Sequence, residues 1–118
     1  MKIQAASISA SISDAEYDDL AYVYVRGHDG YVFSLSRQPD SPLIEVMVQE
    51  QINCKTGEVR AKLSATSLHV LVPGYVAEQL SGESEYEVVF AQSGIGNHQI
   101  HEALGAIFLG VGSYENAL

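Results

Sequence analysis

The residues best equipped for chemistry are the histidines near the end of the chain. His98, His101 and Glu102 stand together in H-Q-I-H-E. A pair at i, i+3 shares one helical face, as two ligands of one metal must. A third ligand would have to come from His28 or His69. The spacing is not the H-E-x-x-H of zinc proteases, which sets the histidines at i, i+4 around a glutamate. Glu102 reads equally well as a first-turn acid complementing the helix dipole. No metal and no cofactor is therefore assigned. Cys54 is the only cysteine, with Lys55 beside it to lower its pKa. Neighbours on a strand point to opposite faces, however, and no cysteine-enzyme signature surrounds this one. G-x-S-x-G is absent; its nearest approach, S-G-I-G at 93–96, reads as a loop. G-V-G-S-Y at 110–114 lacks the lysine of a phosphate loop. No catalytic residue is assigned.

Two features suited to binding are left. D-A-E-Y-D-D, residues 14–19, gathers Asp14, Glu16, Asp18 and Asp19 around Tyr17. An aromatic among carboxylates suits contact with a basic protein surface. The second feature is V-M-V-Q-E-Q-I-N-C-K-T-G, residues 46–57. A period of two puts Glu45, Met47, Gln49 and Gln51 on its polar face, while Glu50 continues the line of Ile44, Val46 and Val48. That glutamate either marks the end of the core or is buried with a partner. The candidate partner-binding residues are Asp14, Glu16, Tyr17, Asp18, Asp19, Glu45, Gln49 and Gln51.

The elements that must position these residues follow from periodicity. A-S-I-S-A-S-I-S, residues 6–13, alternates strictly, with Ala6, Ile8, Ala10 and Ile12 on one face. L-A-Y-V-Y-V is apolar on both faces. Gly27, Asp29 and Gly30 mark a hairpin turn before Tyr31, Phe33 and Leu35. R-Q-P-D-S-P is a turn. Ile44 to Val48, Val59 to Leu63, L-H-V-L-V and Tyr86 to Phe90 supply further strands. Val76, Ala77 and Leu80 suit a short helix ending at Gly82. Asn97 is a candidate N-cap for a longer helix whose apolar stripe is Ile100, Ala103, Leu104, Ile107, Phe108 and Val111.

These patterns predict one α+β domain over residues 1–118, with 112–118 a less ordered tail. Its sheet is mostly antiparallel, of six to seven strands. A short helix precedes the last strand, and a longer C-terminal helix packs on one face.

The chain of 118 residues is 47 % apolar and 18 % charged, a globular balance. No signal-peptide core and no run of about 18 apolar residues occurs, so a cytoplasmic protein is expected. Fifteen acids against six bases give a formal charge of −9. All six bases lie in the first 62 residues. Such a chain repels phosphate backbones and anionic membranes, and attracts basic proteins.

The order of motifs resembles the tenth numbered family of bacterial immunity proteins, the antidotes of polymorphic toxin systems. Y-V-F-S-L-S-R is similar to that family's strand from tyrosine to arginine. I-E-V-M-V-Q-E-Q, then Gly57 and Val59, is similar to its acid-and-glutamine strand end. L-S-A-T-S-L-H-V-L-V, V-A-E-Q-L and E-Y-E-V-V-F resemble the elements that follow. The likeness spans roughly residues 20–110 and carries over no binding residue. It implies a non-enzymatic protein that binds and neutralises a cognate toxin, for which a basic nuclease would suit the charge. The partner would be a protein, with no nucleic acid or membrane, and a homodimer is compatible. An acidic adaptor or secretion-chaperone-like protein is the alternative, and a small metal-dependent enzyme using His98 and His101 the third.

Overall fold

The computed structural model describes residues 1–90 and 96–118. Its strands are β1 (Lys2–Asp14), β2 (Leu20–Gly27), β3 (Val32–Arg37), β4 (Ile44–Val48), β5 (Ile52–Thr56), β6 (Arg60–Leu63), β7 (Ser67–Leu71), β8 (Glu85–Val89) and β9 (Ser113–Asn116). Helix α1 (Gly74–Gln79) lies between β7 and β8, and α2 (Asn97–Ile107) between β8 and β9. The strands form one sheet in the order β5-β4-β3-β2-β1-β8-β7-β6-β9. Most neighbours are antiparallel, but β1 with β8 and β6 with β9 run parallel.

The first strand holds the sheet together. Lys2, Ile3 and Gln4 pair with β8, whereas Ala5 to Asp14 pair with β2. Between Ala5 and Ser7 the register slips by one residue, which is a β-bulge at Ala6. The bulge resets the alternation: Ile3, Ala5 and Ile8 are buried, and Ala6 is exposed. A second irregularity between Ser11 and Asp14 leaves Ile12 on the surface. Of the four apolar positions expected to share a face, Ile8 is buried and Ala10 half-buried.

Nine strands laid flat would span roughly 38 Å, eight spacings of about 4.8 Å. The longest dimension of the molecule is 32 Å, so the sheet is curled. Inside the curl Phe33 of β3 stacks on Tyr86 of β8 at 4.8 Å. Ile100, Ala103, Leu104 and Ile107 of α2 are fully buried in the same core, against β1, β2 and β3. Arg37, at the end of β3, fixes the far end of that helix. Its guanidinium donates to the carbonyls of Ile107 (3.2 Å) and Leu109, and its Nε to that of Ser41 (2.9 Å). A cation there satisfies carbonyls that the helix cannot, and suits its negative end. At β5 the buried Thr56 hydroxyl meets the Tyr75 hydroxyl of α1 at 3.2 Å, and Tyr75 donates to Glu58.

The expected sheet is corrected in three ways. It has nine strands rather than six to seven, its mostly antiparallel order is mixed with two parallel pairings, and its longer helix is not C-terminal. The stretch from Val46 to Gly57 holds a turn that splits it into β4 and β5, with Gln49 and Glu50 both at positive φ. The tail is ordered as β9, in parallel register with β6. Gly112 enables this: its φ is +64, and a Cβ there would lie 2.6 Å from the Val59 carbonyl oxygen. The short helix precedes β8, which is central to the sheet and not its last strand. Helix α2 starts at Asn97 with Gly96 as its N-cap; Asn97 instead donates to the Ala65 carbonyl.

Candidate binding groove

Register builds the groove. One row across the outer face runs Ser9, Tyr24, Ser34, Met47 and Asn53 from β1 to β5. The next runs Ser11, Tyr22, Ser36, Glu45 and Lys55. Small and large side chains thus alternate from strand to strand. Tyr22 and Tyr24 on β2 form one wall, Glu45 and Met47 on β4 the other, and Ser34 and Ser36 on β3 the floor. The walls stand two strands apart, roughly 10 Å between backbones. Tyr17 and Leu20 complete the lining of a concavity of about 500 Å³. On the opposite face of the same strands Ala10, Val23, Leu35, Val46 and Cys54 share one apolar inner row.

Both tyrosine walls are held by carboxylates. Tyr22 donates its hydroxyl to Asp14 at 3.0 Å, and Tyr24 donates to Glu50 at 2.8 Å. Burial of each phenol, then the carboxylate that accepts its proton, raises both tyrosine pKa values. The hydroxyls are engaged, and both rings line the groove. Tyr17 meets Tyr22 edge to face at 6.4 Å.

The segment 14–19 is a single 3₁₀ turn, Ala15–Tyr17, rather than a formless loop. Asp14 caps it by accepting from the Glu16 amide at 3.0 Å. Asp18 and Asp19 have φ of 57 and 62, and the Asp19 amide closes onto the Asp14 carbonyl at 2.9 Å. A second left-handed pair, Gln49 and Glu50, sits beyond Tyr24, with the Gln49 amide held by the Val32 carbonyl. Aspartate tolerates that backbone region; glutamine and glutamate adopt it only when surrounding bonds impose it.

The structure therefore joins two features that are 26 residues apart or more in sequence. Tyr17 and Glu45 line one groove, and Asp14 braces its wall. Glu16, Asp18 and Asp19 are exposed beside it. Gln49 and Gln51 are exposed in the β4–β5 turn and do not line it. Glu50 is not on the apolar face: the turn carries it outward to Tyr24 and to Arg26, 3.5 Å away. Sequence reasoning missed Tyr22, Tyr24, Ser34 and Ser36. Their signal was present, since Tyr at i, i+2 on one strand and Ser at i, i+2 on the next mark two facing columns.

The chemical candidates disperse. His98 pairs with Glu102 at 3.1 Å, His101 Nδ1 meets the Tyr114 hydroxyl at 2.8 Å, and His69 pairs with Glu85 at 2.7 Å. Among the described residues no three His, Cys, Asp or Glu side chains are grouped as metal ligands would be. Cys54 is buried in the core. The S-G-I-G segment falls, apart from Gly96, outside the described residues. Among those residues no helix is long and apolar enough to cross a membrane.

Comparison with family models, with curated proteins and with solved structures returned no match.

Proposed function

We propose that the chain is a non-enzymatic binding protein of the cytoplasm that neutralises a cognate, basic toxin by occupying it one to one. The observation that carries this reading is the groove: a preformed concavity walled by tyrosines, with Glu45 inside and Glu16, Asp18 and Asp19 beside it. Fixed aromatics offer large contact area at little entropic cost, and acids on a chain of net charge −9 speed encounter with a cation. The likeness of motif order to the tenth immunity family supports toxin as the kind of partner. The test is to express the product of the neighbouring reading frame with and without this chain. Growth inhibition that this chain relieves, and a one-to-one complex by light scattering, are expected. A harmless product, or inhibition left unrelieved, removes the immunity reading.

A second reading, an acidic adaptor or secretion-chaperone-like protein, draws on a different cleft of about 450 Å³. Its lining mixes Ile12, Pro39, Ala106 and Leu109 with Asp19 and Arg37, and Ile12 is 53 % and Leu109 74 % exposed. That reading requires a stable homodimer at micromolar concentration, so a monomer by light scattering counts against it.

A further inference from the structure

We infer that the groove is an arginine-selective subsite, taking one arginine side chain of a basic protein segment along β3. This rests on the protein-binding reading above and gives the groove a specific occupant. The choice follows from what lines each part. Arginine is a planar cation with five N–H donors and an apolar stem, and it stacks on aromatic rings better than lysine does. Tyr22 and Tyr24 line the groove from alternate positions of one strand, with their hydroxyls already engaged. A phenol that donates its proton to a carboxylate has a more electron-rich ring, which favours a cation above it.

Opposite the rings stands Glu45, half-buried. Lys55 is its cross-strand neighbour, yet among the described residues Glu45 takes part in no ion pair. A carboxylate so placed can accept two parallel N–H bonds from a guanidinium. The floor supplies further acceptors. Ser34 is only 6 % exposed and lines the groove, and among the described residues its hydroxyl makes no hydrogen bond. That hydroxyl opens on the groove, where it can accept from or donate to an occupant. Met47 and Leu20 offer apolar surface for the alkyl stem. Lysine could use the carboxylate, but as a compact ammonium it stacks less well on the rings and cannot span the spread of acceptors in one plane.

Charge alone would not distinguish the two cations, and the test is built on that difference. Fluorescein-labelled nine-residue peptides alternating glycine with arginine, or glycine with lysine, carry equal charge. At about 0.15 M salt the arginine peptide should bind about fivefold more tightly. Glu45→Gln, and separately Tyr24→Leu, should bring the two affinities together. Tyr24→Phe, which keeps the ring, should preserve most of the preference and serves as the control for folding. Glu16→Lys with Asp18→Lys should weaken both peptides alike. Equal affinity for the two peptides in the unaltered protein overturns the subsite, as does binding of neither. A preference untouched by Glu45→Gln and Tyr24→Leu places it elsewhere and also overturns it. An arginine preference in a chain that relieves no toxin would leave the subsite standing while the immunity reading falls.

Discussion

The curled sheet has two outer faces, and they use their polar side chains in opposite ways. On β6, β7 and β9 two charged side chains are paired across strands, while Arg60 of β6 takes part in no ion pair among the described residues. Lys62 stands opposite Glu115 and bonds it at 3.5 Å, and His69 bonds Glu85 at 2.7 Å. The concavity among them is about 150 Å³. On β1 to β4 two tyrosines stand over a serine floor with Met47 and Glu45 opposite, Arg26 pairs with Glu50 at the rim, and among the described residues Glu45 takes part in no ion pair. The first face is a solvated surface with a small concavity; the second holds a wider groove lined by tyrosines and a half-buried carboxylate. Interaction surfaces are marked less by net charge than by aromatic side chains set around an open concavity.

The widest expected gap between the faces is kinetic. Glu16→Lys, Asp18→Lys and Asp19→Lys together should slow stopped-flow association of the arginine peptide about tenfold at low salt, and flatten its salt dependence. Lys62→Glu should change that rate less than about twofold. Similar effects from both would mean that net charge, not the groove's rim, governs encounter.

Arg37 tests what holds the groove's floor in place, because it ties β3 to the end of α2. Arg37→Met should lower unfolding free energy by about 2 kcal/mol in urea titrations. Arg37→Lys should recover little of it, since a single ammonium cannot reach three carbonyls at once. Full recovery by lysine would reduce the role to charge.

Tyr114 tests β9, the edge of the opposite face. Burial pushes its pKa up from 10 to about 12. A proton held more tightly in the folded state contributes stability below pH 10 that is lost as pH rises towards 12. Stability measured at pH 9, 10 and 11 should therefore fall, and fall less steeply in Tyr114→Phe. Identical slopes would show that β9 does not bury this phenol. The smallest effect belongs to the Lys62–Glu115 pair, both side chains being more than half exposed. Lys62→Ala should cost no more than about 0.5 kcal/mol.

The strand cores were legible because alternation survives wherever the register is regular: Val23, Val25, Leu35, Val46, Val70 and Val88 are all buried. It failed at the bulge on β1, since one inserted residue moves Ala6 to the outside without changing composition. It failed again at Gln49 and Glu50. Two left-handed residues that are neither glycine nor asparagine give no turn signal, so one strand was expected where two exist. The parallel pairings depend on contacts between Lys2–Gln4 and Glu87–Val89, far apart in sequence, which no local pattern encodes. Of the groove, the acidic turn and Glu45 were readable as polar surface. Tyr22 and Tyr24 were passed over despite their i, i+2 spacing, because tyrosine alternating with valine also reads as a strand covered on both faces.

Chemical-shift mapping of the isotope-labelled protein with the glycine–arginine peptide tests the central claim most directly. Amide shifts confined to Tyr17, Tyr22, Tyr24, Ser34, Ser36 and Glu45, with Lys62, His69 and Glu115 unmoved, are predicted. Shifts centred on β6, β7 and β9, or spread over both faces, would contradict it.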